Sequence, residues 1–226
     1  MKSKKRGQTA IFMVAAIIIL LLGALFFYTQ KASLKKAELI SPETAPIKNF
    51  IDTCISNVAT QAITILGLNG GYITFPDEIK NNPRSYLQLG PVSSIKNPYW
   101  WYDGIESIPS ESFIVNQVEK YIASNLDSCI NDFSAFNQFD VRQKGNLDVK
   151  VTLNENDVTV DVNYPLELTN RLNSTTIMLD NFKETLPIRL KKVYETAKDI
   201  YESEKRSFFL EFKTTDLISM DESIPT

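Results

Sequence analysis

The chain has 226 residues, of which 43% are hydrophobic and 23% are charged, an ordinary composition for a globular protein. It contains no histidine, so the commonest general base and the commonest metal ligand are both missing. Residues 1–36 hold seven of the 24 basic residues and no acidic residue, which leaves the remainder with a net charge of about −10. That charge argues against a nucleic-acid partner, because phosphate binding needs clustered lysine and arginine.

The N-terminal apolar segment, residues 10–28, runs for nineteen residues without a charge. As a helix it would span roughly 28 Å, close to the hydrocarbon thickness of a bilayer. A cleaved secretory signal would be shorter and followed by a small-residue cleavage site, and a buried core helix would keep a polar stripe. We therefore predict a basic leader (1–7), a transmembrane anchor (8–30), a juxtamembrane linker (31–45) and an ectodomain (46–226).

The orientation of this anchor rests on the basic residues around it. Lys2, Lys4, Lys5 and Arg6 form a tight cluster before the span, whereas the lysines after it are more widely spaced. Basic residues favour the cytoplasmic side. We expect a single-pass protein of the cell membrane, with a cytoplasmic N-terminus and an extracellular ectodomain.

The motif at residues 5–10, Lys-Arg-Gly-Gln-Thr-Ala, followed by the apolar run, resembles the archaeal class III signal of type IV pilin-like proteins. The resemblance implies that a membrane peptidase cuts between Gly7 and Gln8, and that the apolar helix remains as an anchor or as a filament core. Many pilins have glutamate at the fifth mature position, where this chain has Phe12. The remainder is similar to uncharacterised anchored proteins of small-genome archaea, which implies no activity.

Two amphipathic helices are predicted in the ectodomain. Residues 41–44 have the cap residue, proline and acid typical of a helix start, and apolar residues recur with helical spacing over 47–66. The glycines within 67–71 end this helix. Ser110 caps the second helix, whose apolar stripe covers 114–130.

The two cysteines, Cys54 and Cys129, lie on the apolar stripes of these two helices. An even cysteine count in an extracytoplasmic domain favours a disulfide, and packing of the two helices would bring the thiols together. The alternative is two buried free thiols. Two cysteines without histidine do not suit zinc, so we predict no metal and no cofactor.

A long irregular loop is predicted over residues 76–109, after a short strand at 72–75. The densest aromatic cluster of the chain lies in this loop. Its rings can stack on a sugar, anchor a protein partner, lie against the bilayer or cap the core. The candidate binding residues are Tyr99, Trp100, Trp101 and Tyr102.

The clearest sheet signal is a hairpin. Residues 148–153 and 158–164 alternate strictly between apolar and polar around a turn at 154–157. Pro165 limits pairing beyond that point, so Leu166 and Leu168 are expected to continue only along an edge.

Weaker strands are predicted at 139–141 and 177–182, giving an antiparallel sheet of three or four strands. A third helix opens at 185–187 with its apolar side over 190–201, and residues 208–212 either extend it or start a strand. The predicted fold class is α+β, with an N-terminal transmembrane helix followed by about three helices packed on a small antiparallel sheet.

Functional motifs are sparse. The sequence has no nucleophile elbow, phosphate-binding loop or metalloprotease motif, so we expect no enzyme. Asn173 begins a glycosylation sequon, the alternative being an unmodified loop. The favoured hypothesis is a membrane-anchored extracytoplasmic structural or interaction protein, pilin-like, that contacts the lipid bilayer and either itself, a surface protein or a glycan. The alternative is a ligand- or glycan-binding ectodomain that uses residues 99–102.

Overall fold

The computed structural model describes residues 42–89 and 95–220. The predicted leader and anchor, with Gly7 and Gln8, lie outside these residues. From Ala45 onward the described residues belong to one compact unit of mixed α and β structure. Its helices are α1 (Ala45–Leu68), α2 (Asp77–Lys80), α3 (Glu111–Ile130), α4 (Leu190–Ser207) and α5 (Phe209–Met220). Its strands are β1 (Tyr86–Gln88), β2 (Lys96–Pro98), β3 (Trp101–Tyr102), β4 (Ile105–Glu106), β5 (Phe139–Gln143), β6 (Asp148–Leu153), β7 (Val158–Asn170) and β8 (Thr176–Leu186).

The main sheet has four antiparallel strands built around β7, as the alternating pattern predicts. β8 pairs with β7 on one side over both halves of its length. On the other side, β6 pairs with the first half of β7 and β5 with the second half. The predicted hairpin is confirmed, with Val151 opposite Val160 across the turn.

The prediction that Leu166 and Leu168 lie along an edge is wrong, because both are in the central strand. Pro165 occupies a bulge between Asn163 and Leu166, at the point where the neighbouring strand changes from β6 to β5. Proline is tolerated in a sheet at such a bulge, because no ladder hydrogen bond needs its missing N–H.

The core lies between the sheet and the two long helices, α1 and α3. α1 packs on β8, α3 packs on β6, and the two helices pack on each other. Both predicted helices are present, and their apolar stripes are buried against Val158, Val160 and Val162 of β7. Each such aliphatic side chain stabilises the fold by roughly 1.5–3 kcal/mol when fully buried.

A disulfide joins the two helices. The sulfur atoms of Cys54 and Cys129 are 2.15 Å apart, and their Cα atoms are 5.7 Å apart. The bond therefore ties together two helices that are far apart in sequence, and it is typical of a protein that matures in an oxidising compartment.

Helix α1 is also long and apolar enough to cross a membrane, by length and composition alone. Its nine buried residues, however, face the core of the domain. Its exposed face carries polar residues, among them Asn49, Thr53, Asn57 and Thr64. We therefore assign α1 to the core.

The structure corrects two local predictions. Residues 72–75 form no strand, because the backbone N–H groups of Ile73 and Thr74 both donate to the Gln117 side chain instead of a partner strand. The third helix begins at Leu190 and not at 185–187, where β8 continues its pairing with β7 to Leu186.

The residues after α4 continue as a helix and not as a strand. Phe208 adopts a left-handed conformation with φ 48°, which ends α4, and α5 follows directly. The apolar side predicted for α4 is only partly covered: Leu190 is its only buried residue, and Val193 and Ile200 are exposed. Besides Leu190 in the core, α4 is held by contacts with the aromatic segment, residues 99–102, and with Glu106.

Candidate interaction surface

The aromatic segment forms a small two-stranded ribbon of β3 and β4. Trp101 pairs with Glu106, and Tyr102 pairs with Ile105. The turn between them is Asp103-Gly104, and both residues have positive φ, at 50° and 78°. An Asp-Gly pair is among the strongest short signals for a tight hairpin turn. That signal would have corrected the prediction of an irregular loop.

Trp100 points inward from the base of this ribbon. Its indole ring packs against Tyr194 and Tyr201 of α4, with ring centroids 6.4 Å and 6.0 Å apart. Its N–H donates to the carbonyl of Gly70, after α1, at 3.2 Å. Trp100 therefore has a structural role, joining α4 to the segment that follows α1.

Two tyrosine hydroxyls fasten the segment that joins the ribbon to α3. Tyr194 donates to the carbonyl of Pro109 at 2.9 Å, and Tyr72 donates to the carbonyl of Ser107. Burial, and then the neighbouring Tyr194, raise the pKa of Tyr72 to about 12. Tyr72 thus stays a neutral donor far into the alkaline range.

A polar contact fixes the ribbon to the far end of α4. The Glu106 carboxylate accepts hydrogen bonds from the Tyr201 hydroxyl at 3.0 Å and from Lys205 Nζ at 3.2 Å. Both bonds lower the pKa of Glu106, and the bond from Tyr201 has the larger effect. The pKa of Lys205 is raised by its bond to Glu106, and the pKa of Tyr201 is raised by burial and then by the same carboxylate.

Two other rings of the cluster, and the side chain of Ile105, face solvent. Tyr99 is 44% exposed, Trp101 55% and Ile105 65%. Directly paired residues lie on the same face of a ribbon, so Trp101 shares one face with Glu106, and Ile105 shares the other with Tyr102. Tyr99 stacks on Tyr102, with centroids 6.3 Å apart. We call the three exposed residues Tyr99, Trp101 and Ile105 the ribbon surface.

A groove runs beside helix α3, with a volume of about 460 Å³. We call it the α3 groove. It is lined by the segment at residues 73–76 and by one side of the helix. The sequence shows which residues share one side of α3, but it does not show that residues 73–76 lie opposite them. The groove was therefore not among the sequence predictions. Its lining includes Phe75, Phe113, Asn116, Lys120, Tyr121 and Ser124.

The sequon residue Asn173 is exposed in the turn between β7 and β8. Its side-chain oxygen accepts a hydrogen bond from the Thr175 N–H at 3.0 Å, which leaves the side-chain nitrogen facing solvent. A glycan could be accommodated at this turn without displacing any core residue.

Comparisons with known proteins add no function to these features. No protein-family model matches it, and it has no significant match among curated proteins or solved structures. Its function is therefore argued from its own residues.

Proposed function

We propose that the chain is a membrane-anchored, extracytoplasmic interaction protein that contacts its partner through the ribbon surface. The apolar segment 10–28 supplies the anchor. The disulfide between Cys54 and Cys129 suits the oxidising side of the membrane. No catalytic step is assigned to it. Self-assembly through the pilin-like N-terminal segment belongs to the same proposal.

The exposure of Trp101 is the observation that carries this proposal. A tryptophan more than half exposed, on a ribbon that Trp100 and Glu106 hold in place, costs little entropy to immobilise on binding. Aromatic anchors of this kind dominate the energetics of protein interfaces. Apolar side chains on both faces of the narrow ribbon suit insertion into a cleft of the partner.

A glycan is the second candidate partner of this surface. The ring of Trp101 lies on the ribbon face that also carries the Glu106 carboxylate. An aromatic plane beside a hydrogen-bond acceptor is a usual arrangement for holding a sugar.

Photo-crosslinking in the native membrane tests the proposal. A photoreactive residue is placed at position 101 of the full chain, and a second variant carries it at position 172, where Leu172 is 90% exposed. We expect the variant labelled at position 101 to form a partner adduct, and the variant labelled at position 172 to form much less of it. Adding Ile105→Asp to the first variant should abolish the adduct. An adduct of twice the chain mass identifies self-assembly, and an adduct that a glycosidase removes identifies a glycan.

Equal adducts from the two positions, or none from position 101, would overturn the proposal. Mass spectrometry of the native N-terminus tests the anchor separately. A peptide that starts at Gln8 shows processing, and resistance of the protein to alkaline extraction from membranes shows insertion.

A further inference from the structure

The α3 groove has a row of polar side chains along one helix. Asn116, Lys120 and Ser124 follow each other at intervals of four residues and are exposed. Residues with this spacing form a continuous ridge on a helix. The lining runs from Phe113 to Asn125, a length of about 18 Å along the helix axis. The groove therefore suits an extended ligand.

The floor of the groove is aromatic. Phe75, Phe113 and Tyr121 all contribute to its lining, and Phe113 is 37% exposed. Phe113 contacts the Tyr72 ring edge-on at 5.9 Å, and Phe75 lies 5.9 Å from the same ring. Because buried Tyr72 supports both, these rings are held in place before any ligand binds.

Gln117 fixes the opposite wall. Its side-chain oxygen accepts the N–H groups of Ile73 at 2.8 Å and Thr74 at 2.9 Å, and its nitrogen donates to the Gly71 carbonyl at 3.3 Å. The backbone N–H groups of residues 73 and 74 are therefore both occupied. A peptide that binds by adding a strand needs such donors, so this mode of binding is disfavoured.

The charge of the lining points to the ligand. Lys120 is its only charged residue, in a chain whose residues after 36 carry a net charge of about −10. The neighbouring acid, Glu119, is turned to the sheet, where it accepts the Val151 N–H at 2.9 Å. Within residues 42–89 and 95–220, Lys120 takes part in no ion pair.

We infer that the α3 groove binds a linear oligosaccharide that carries a carboxylate. The aromatic floor stacks on the apolar faces of the sugar rings. Asn116 and Ser124 exchange hydrogen bonds with sugar hydroxyls, and Lys120 pairs with the carboxylate. The groove volume lies within the range of small-molecule sites, about 300–1,000 Å³. This site is separate from the ribbon surface.

Calorimetry with defined oligosaccharides tests the inference on the full chain in detergent. The probes are tetragalacturonic acid, an equivalent tetramer containing glucuronic acid, and the methyl ester of each. We expect at least one acid to bind and its neutral ester to bind about tenfold more weakly, the loss typical of one charge-assisted contact. Lys120→Gln should weaken binding of the acid by a similar factor and leave binding of the ester unchanged.

Two further variants keep the test decisive. Phe113→Ala should weaken binding of the acid and of the ester alike. Lys150 is an exposed lysine outside the groove, so the matched control Lys150→Gln should change neither affinity. Absence of binding by both acids, or binding that Lys120→Gln and Phe113→Ala leave unchanged, overturns the inference. So does binding to anionic lipid vesicles without a response to the oligosaccharides. Trp101→Ala should leave groove binding intact, which separates this site from the proposed interaction surface.

Discussion

The Trp100 indole meets the Tyr201 ring nearly edge-on, with an interplanar angle of 67°. This contact joins the aromatic segment to the second half of α4, a helix whose only buried residue is Leu190. Because the Trp100 N–H is bonded to the Gly70 carbonyl, the same side chain also ties α4 to the end of α1. Trp100 therefore helps to hold α4, a helix at the surface, against the domain.

Removal of this side chain should release α4. We expect Trp100→Ala to lower the free energy of unfolding by about 2 kcal/mol, less than for a fully buried tryptophan because the ring is only partly covered. Hydrogen exchange should become faster over Leu190–Ser207 and stay unchanged in α1 and α3. Trp101→Ala is the matched control, since Trp101 is 55% exposed, and it should leave both measurements near the wild type. Equal effects of the two substitutions would show that Trp100 has no special role.

The contact between Glu106 and α4 should depend on pH and be lost in acid. The pKa of Glu106 is lowered from its ordinary value of 4.5, so the attachment is complete above that value and is lost as the pH falls through the lowered folded-state pKa. In a Trp101→Phe variant, Trp100 is the only tryptophan and reports on the Tyr201 contact. Its fluorescence should change as the pH falls below about 4.5, through the lowered pKa of Glu106, while the far-ultraviolet circular dichroism stays constant.

Glu106→Gln provides the control for this titration. The amide can still accept from Tyr201 but does not titrate, so the fluorescence change in this range should disappear. A titration identical in both proteins would assign the change to another acid. Because Glu106 is at the surface, high salt should weaken the Lys205 pairing, whereas the Tyr201 hydrogen bond should persist.

The sequence predicted the parts of the fold that depend on local periodicity. α1, α3 and the β6–β7 hairpin each have one continuous apolar face, and these faces became the core. The same pattern brought Cys54 and Cys129 to facing helices. The pattern on α4 is just as regular, yet this helix lies at the surface, because periodicity shows which side is apolar and not how much of it is covered.

The missed features depend on contacts between distant residues. Gln117 lies on the buried side of α3, and nothing in its neighbourhood along the chain indicates that it binds the backbone 43 and 44 residues away. A proline in a strand usually removes a ladder bond, so the sequence predicts that Pro165 limits pairing beyond it. The bulge that accommodates this proline lies where the neighbour of β7 changes from β6 to β5, which the local sequence does not show. The α3 groove needs both a helix face and a remote segment, so only the folded chain shows it.

The disulfide should contribute strongly to stability. It links residues 75 positions apart, and the loss of chain entropy on closing a loop of this size predicts about 4 kcal/mol. We expect the double variant Cys54→Ala/Cys129→Ala to unfold at a lower urea concentration. Reduction of the wild type should give nearly the same shift, which separates the covalent bond from the small loss of packing in the variant. An unchanged midpoint on reduction would contradict the prediction.

Asn173 should be glycosylated in the native protein. It begins the single Asn-x-Ser/Thr sequon of the sequence, and it is exposed in a turn. Mass spectrometry of the peptide that contains it should show an added glycan on the side-chain nitrogen. Asn173→Gln and Thr175→Ala should both remove that mass, whereas Thr175→Ser, which keeps the sequon hydroxyl, should retain it. An unmodified peptide from the native membrane would refute this.

The Gln117 side chain offers the sharpest test of the local fold. Gln117→Leu fills a similar volume but leaves the N–H groups of Ile73 and Thr74 without an acceptor. An unpaired buried donor costs about 1–3 kcal/mol, and since both groups are only partly buried we expect a total loss near 3 kcal/mol in urea unfolding. Gln117→Glu keeps the acceptor and loses only the donor to Gly71, so its loss should be smaller. Hydrogen exchange at residues 73 and 74 should be fast in the leucine variant and slow in the glutamate variant. If these amides stay protected in the leucine variant, another group accepts them, and the wall of the α3 groove does not depend on Gln117.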